Sequence, residues 1–561
     1  MGAYRYSEPR RRAPWGRTLL AVAAVAGAIT ASAPATAHAS SPAGESSSVT
    51  VYAAGTTSRV SPSHAPAPLA TSATVASRQH GSLPTRLPGA AVRALSVQTA
   101  PATAPAASKS RLLSNFNGVG SLDSAKTNFG AQFQPPDQGL CEGNGFVLEP
   151  VNSAYTVYTT SGHAILGPFN VNDMFNEGAA EFTSDPRCYY EAASHTWFAL
   201  ILFLSGGGAG NQSHFDLAVN TSGDPTLAWN EYRIDTTDAG GNGCPCFGDQ
   251  PLFGVDQYNI YVSTNEFSIL GPQFNGAQIY ALDKTALLTA APATVVHWSA
   301  PNIGGAQAAS VQPATSNGTP DAEYLLNSLD PNGTGDTRIG VWAITHRDIH
   351  HGQAPVLSSV VLSSEAYALP VPTIQKGSAT PLDPGDDRMQ QTQWVGGSVY
   401  GELTTALTAG HDPTMRDGAA WFDVQPTLTG GVIGRAHMAK QGYVASAGND
   451  LLYPALAADA QGRAAMVFTL TGAGHYPSAA YAVLGSGAAA FGAARVAAAG
   501  TGPYVPANPS VANRWGDYSY ALVDPVTRSF WLATEYMPPK SSQTTDGTNN
   551  WGTRVLEVVV P

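Results

Sequence analysis

The chain has 561 residues, with 28 Lys and Arg against 40 Asp and Glu, and a formal net charge of −12. A surface this acidic repels phosphate backbones and anionic lipid headgroups, which argues against nucleic acids and membrane surfaces as partners and favours neutral or cationic ligands.

Arg5, Arg10, Arg11, Arg12 and Arg17 precede and border an apolar run from Leu19 to Ile29, and Ala37-His38-Ala39 stands before Ser40. This is the layout of a cleavable export signal over residues 1–39. The context after the Arg run suits the general secretory route better than the twin-arginine one. Removing this segment takes away five Arg and one Glu and leaves a formal charge of −16. No other stretch is long and apolar enough to span a bilayer, so the expected protein is secreted and extracellular. Residues 40–110 are mostly Ala, Ser, Thr, Pro and Val with few aromatics. Such a composition buries too little apolar area to offset backbone entropy and predicts a disordered spacer.

From residue 111 to 561, short apolar or alternating runs such as IYVSTNEF, AAMVFTL and FWLATEY lie between turn signals rich in Gly, Pro, Asn and Asp. A sustained helical period with caps at both ends is missing, and ALDKTALLTA (281–290), about two turns long, is the best helical candidate. The region reads as all-β.

Two stretches, GDQPLFGVDQYNIYVSTNEF (248–267) and GDYSYALVDPVTRSFWLATEY (516–536), align along their whole length as β-hairpins. Weaker copies are SDPRCYYEAASHTWFALILF (184–203), DDRMQQTQWVGGSVYGELTTAL (386–407) and LLYPALAADAQGRAAMVFTL (451–470), with PPDQGLCEGNGFVLEPVNSAYTVY (135–158) and SVQPATSNGTPDAEYLLNS (310–328) completing the series. The hairpins start near positions 137, 185, 249, 312, 387, 452 and 517. Such a series predicts one β-propeller over 111–561 with seven blades, six and eight being the alternatives. The chain ends on the strand-like TRVLEVVVP, so an early strand near Leu112–Val119 is expected to pair with the last blade and close the ring.

These motifs, followed in order from PPDQGLCEGNGFVLEPVNSAYTVY through SGDPTLAWNEY and GAQIYALDK to RWGDYSYALVDP and WGTRV, resemble a group of large exported bacterial proteins of largely unassigned function. That resemblance implies a β-propeller of broadly sialidase-like shape and no particular reaction. The sialidase Asp-box has only a partial echo in Ser222-Gly-Asp224-Pro-Thr-Leu-Ala-Trp229, where Asp224 is expected to hold a hairpin turn. No three arginines stand out as a carboxylate-binding set, which argues against sialidase activity.

Five hairpins open on a carboxylate, Asp137, Asp185, Asp249, Asp387 and Asp517, and blade geometry would gather these at one mouth of the central channel. Packed like charges raise one another's pKa or call for a cation, so the ring suggests an acid/base site or a bound divalent ion such as calcium; alternatively, each Asp caps its own turn. Asp256 and Asp524 are read as turn formers. Glu266 and Glu535 end second strands and join Asp249 and Asp517 as catalytic candidates. Arg514 and Trp515 occur in one repeat only, and they offer a guanidinium and a flat apolar face suited to a sugar ring; the alternative is an interblade ion pair and a core Trp. Arg187, His214, Arg388 and Tyr453 are secondary ligand-binding candidates. His346, His350 and His351 sit in a stretch read as a surface loop, with a metal site as the sharper alternative.

Cys141, Cys188, Cys244 and Cys246 allow three disulfide pairings, and the preferred one joins Cys141 to Cys188 and Cys244 to Cys246. Cys244-Pro245-Cys246 lacks the two-residue gap usual in structural zinc sites. The functional expectation is a monomeric extracellular module that binds a glycan or surface polymer at the channel mouth. The alternative is a glycan-active hydrolase or lyase using paired carboxylates there.

Overall fold

A computed structural model describes residues 36–38, 46–51, 53–57, 110–178, 181–205, 212–237, 243–329, 333, 335–506, 513–544 and 547–561. The expected export signal, apart from Thr36–His38, and most of the expected spacer lie outside the described residues.

The described chain is built from antiparallel four-strand meanders. The first comprises Cys141–Gly143, Phe146–Pro150, Ala154–Thr159 and Ala164–Asn170, and the second Phe182–Glu191, Thr196–Leu204, Ser213–Asn220 and Trp229–Asp235. The third runs through Cys246–Val255, Asn259–Ser268, Phe274–Asp283 and Ala293–Ser299, and the fourth through Gln312–Asn317, Glu323–Ser328, Asp336–Thr345 and Val356–Tyr367. The fifth is Thr392–Val395, Ser398–Leu407, Arg416–Thr429 and Val432–Val444, and the sixth Asn449–Ala458, Ala464–Gly472, His475–Leu484 and Arg495–Ala498. The seventh draws Tyr520–Val523, Phe530–Tyr536 and Gly552–Val559 from the end of the chain and takes Arg111–Gly120 as its fourth strand. That pairing is the closure expected near Leu112–Val119.

Apolar layers fill the space between consecutive meanders. On Thr196–Leu204, Trp197, Ala199 and Ile201 face the first meander while Phe198 and Leu200 face the third. This alternation explains why such strands read as continuous apolar runs: both faces are buried. The last layer joins Leu140, Val147 and Tyr158 of the first meander to Tyr520, Trp531, Ala533 and Val555 of the seventh, so the succession of layers returns to its start. Polar side chains pin neighbouring blades as well. Asn152 accepts the Asp185 N–H at 2.7 Å, Asn265 that of Ser310 at 2.8 Å, and Gln393 that of Ala458 at 2.6 Å. The fold is an all-β propeller with the first strand of each meander innermost. At their far ends the inner strands of the third, fourth and fifth blades pair in parallel, Val255 with Thr315 and Ala314 with Thr392.

Among the described residues, helices are few and short. Lys284–Leu288 falls inside the expected 281–290 segment and is capped by Asp283, whose carboxylate accepts the Ala286 N–H at 3.1 Å; Ser121–Thr127 carried no sequence signal strong enough to be read. Two disulfides join Cys141 to Cys188, across the first two inner strands, and Cys244 to Cys246. The expectation of a structureless spacer needs correction at two points. Ser46–Val51 pairs with the outer strand Ala293–Ser299, and Ala53–Thr57 pairs with Trp229–Asp235. Edge pairing uses backbone groups and requires little apolar burial, so composition did not reveal it. Thr36–His38 likewise pairs with Val432–Val444.

Candidate functional site

One end of the ring collects the starts of the inner strands. In the second, third and sixth blades the ladder slips there, between Ser184 and Arg187, Asp249 and Leu252, and Leu452 and Ala455. Each slip contains a left-handed residue, Asp185 (φ 60°), Gln250 (φ 49°) or Tyr453 (φ 50°), followed in every case by proline. Proline has no N–H to offer a ladder, so it sits at the bulge, and the bulge re-aims the side chains beside it. This shared proline was a signal present in the repeats that hairpin alignment passed over.

The mouth opens into a cleft whose walls come from four of the blades and the segments leading into them. Asp137, Asp249, Asp517 and Arg514 supply its charge; Asn152, Thr183 and Ser184 its neutral polar groups; and Phe133, Phe182 and Phe247 its aromatic surface. Arg514 forms an ion pair with Asp517, and its environment also includes Tyr453, Asp137 and Asp383. Burial pulls the Arg514 guanidinium down, but these groups outweigh it and hold its pKa above the ordinary Arg value. Arg388 grips Asp386 through two bonds, Nε to Oδ1 at 2.7 Å and Nη2 to Oδ2 at 2.5 Å, and also bonds Gln250. It too is held above its ordinary value: burial opposes the charge, while Asp386, Asp249 and Asp517 favour it. Arg187 lies over the Tyr518 ring at 3.3 Å. Three arginines therefore stand around the Asp517–Tyr518 corner, but of these only Arg514 lines the cleft. Each is already engaged with protein groups.

Beneath the cleft the axis is bridged by side chains. Tyr518 Oη donates to Pro186 O at 3.1 Å and Tyr520 Oη to Cys188 O at 2.8 Å, tying the seventh blade to the second. Gln391 of the segment before the fifth blade bonds both the O and N of Ala521, at 2.6 and 3.0 Å.

Of the five expected Asp residues, Asp137, Asp249 and Asp517 line the cleft, whereas Asp185 and Asp387 are fully buried and do not. Asp137 accepts a 2.6 Å bond from Asn152, whose other amide atom holds the Asp185 backbone. Glu535 is also fully buried, below Gly516, where an added Cβ would come within 2.9 Å of its Oε1. Burial, with Asp517 adding to it, raises the Glu535 pKa to about 8. Glu266 is buried beside Cys244, with Oε1 3.7 Å from the sulfur. Neither glutamate lines the cleft, so the catalytic candidates that ligand can reach reduce to Asp249 and Asp517.

Trp515 requires correction: it is 1% exposed, packs in a core with Tyr504 and Tyr453, and donates from Nε1 to Thr469 at 3.1 Å. It offers no open face to a sugar. Tyr453 is likewise core, its hydroxyl bonded to Asp383 O at 2.8 Å. His214 lies in the third strand of the second blade, among Glu177 and Asp216, and does not line the cleft. Asp256 and Asp524 are turn formers, accepting the backbone N–H groups of Tyr258, Asn259 and Val526. Asp224 holds its turn through the Thr226 N–H at 2.9 Å. His350 pairs with Asp283 and His351 with Asp348. Among the described residues, the groupings with metal-ligand spacing are Cys244, Cys246 and Glu266, whose cysteines are disulfide-bonded, and Glu177, His214 and Asp216.

No family model matches the chain, and no curated protein matches it in sequence. Among solved structures it is similar to an exo-β-1,3-galactanase from Clostridium thermocellum, at 12% identity over 66% of this chain and 78% of that one with a TM-score of 0.27. It is similar to a Hadza microbial sialidase at 11% identity over 72% of each chain with a TM-score of 0.29. Similarity to an α-L-arabinanase from Cellvibrio cellulosa is 12% over 54% of this chain and 94% of that one, with a TM-score of 0.23.

Proposed function

We propose that the protein is an extracellular binding module whose cleft at the propeller mouth takes a glycan or a related polyhydroxylated surface polymer. The observation that carries this reading is the mixed lining: aromatic faces from Phe133, Phe182 and Phe247 beside Asp137, Asp249, Asp517 and Arg514. Apolar ring faces and a few fixed polar groups are what a sugar, with its apolar and hydroxyl-bearing sides, requires. Two disulfides fit an oxidising, extracellular setting. Screening the full-length chain on a glycan array tests the proposal. Binding to a defined glycan class should fall about tenfold or more in Asp249→Asn and Asp517→Asn, since each removes a charged acceptor. An array on which the folded wild type binds nothing, or binds the same glycans as both variants, refutes it.

A second reading, a glycan hydrolase or lyase, is favoured by Asp249 and Asp517 sharing one cleft. It predicts that the captured glycan is shortened on incubation with the wild type and left intact by Asp517→Asn. An intact glycan after prolonged incubation with the wild type removes this reading and leaves binding.

A further inference from the structure

The second blade carries a cluster that plays no part in the mouth cleft. His214 and Asp216 alternate on Ser213–Asn220, and Arg233 and Glu231 stand opposite Asp216 and Ala218, so all four share one face of the sheet. Glu177 reaches the same place from the connection between the first two blades. The His214 ring is fixed by stacking on Phe203, with centroids 4.1 Å apart and planes inclined by 11°. Its Nε2 stands 3.3 Å from Glu177 Oε1 and 3.3 Å from Asp216 Oδ2. One ring nitrogen carries at most one hydrogen; Nε2 is hydrogen-bonded to Glu177 Oε1, and among the described residues Asp216 Oδ2 has no hydrogen-bond partner. Glu231 supplies an independent observation. It is 4% exposed, its Oε1 has no hydrogen-bond partner among the described residues, and it stands opposite Ala218 on the same face of the sheet.

We propose that Glu177, His214 and Asp216 bind a divalent first-row transition ion of the zinc class. With metal–ligand bonds of about 2.0 to 2.1 Å, the ligand atoms of a tetrahedral site stand about 3.3 Å apart, which is the spacing His214 Nε2 keeps to both carboxylates. The imidazole separates this site from the all-oxygen sites of calcium and magnesium. Arg233, with a side chain 46% exposed, pairs with Glu177 and lies 3.2 Å from Asp216, so it is the counter-charge that turns outward when the ion enters. Glu177 precedes Phe182, Thr183 and Ser184 of the cleft wall, so the ion would fasten that connection to the blade.

The test is isothermal titration of the chelator-stripped, full-length, unreduced protein with zinc chloride, and in parallel with calcium chloride. One zinc per chain is expected, about tenfold or more weaker in His214→Ala and in the near-isosteric Asp216→Asn, and several-fold tighter in Arg233→Gln. Zinc should raise the melting temperature of the wild type and of Arg233→Gln but not of Asp216→Asn, a readout that holds even if His214→Ala folds poorly. Failure of the wild type to bind stoichiometric zinc, or unchanged affinity in Asp216→Asn, overturns the site. Calcium binding as tight as zinc overturns the class of ion.

Discussion

Replacing Glu149 by Gln probes the seam where the ring closes. Glu149 is fully buried in the second strand of the first blade, and its Oε2 accepts the Val119 N–H of the closing strand at 2.8 Å. Gly118 lies so close that a Cβ there would stand 2.2 Å from the carboxylate. Burial, opposed by hydrogen bonds from Thr553, Val119 and Tyr158, raises the Glu149 pKa from 4.5 to about 7. The native state therefore keeps a proton between pH 4.5 and about 7 that the unfolded chain has released, so stability falls as pH rises through that window and is level above it. The loss is about 3 kcal/mol. Glutamine carries no charge and keeps a carbonyl oxygen for the Val119 N–H. Urea denaturation should find the variant close to the wild type at pH 5 and more stable by up to about 3 kcal/mol at pH 8. Other buried acids, such as Glu142 and Asp417, both raised to about 8 by burial, act equally in both proteins and cancel. Parallel pH dependences in wild type and variant, or a less stable variant at pH 8, would refute the reasoning.

Gly143→Ala places a Cβ 1.8 Å from Cδ1 of Tyr190, whose ring packs 4.5 Å from Trp197. Its urea midpoint should drop by an amount equivalent to about 1–3 kcal/mol, and a wild-type midpoint would contradict the packing. Trp515→Phe should cost on the order of 1 kcal/mol through the lost bond to Thr469 while leaving glycan binding unchanged. Loss of binding with an intact fold would put Trp515 at the ligand after all.

Much of the fold was legible because hairpins with polar turns and apolar strands repeat: each expected start lies within a few residues of an inner strand, as at Phe182, Cys246 and Asn449. The closing strand was legible from the strand character of both chain segments. The edge strands Ser46–Val51 and Ala53–Thr57 were not, because backbone pairing leaves little trace in composition. At the mouth, the repeat pointed to Asp137, Asp249 and Asp517 but could not say that Asp185 and Asp387 are fully buried; at Asp185 the bulge re-aims the side chain, which hairpin alignment does not show. Trp515 misled because occurring in a single repeat does not separate a ligand face from a core plug. The cluster around His214 was illegible because Glu177 comes from a different connection, and sequence distance hides such meetings.

Hydrogen exchange on the full-length chain, with and without the glycan it captures, tests the central claim most directly. Protection should rise at 133–137, 182–184, 247–249 and 514–517, four of the segments that the cleft brings together. Protection confined to the outer strands of the blades, with these four segments unchanged, would contradict a binding site at the mouth.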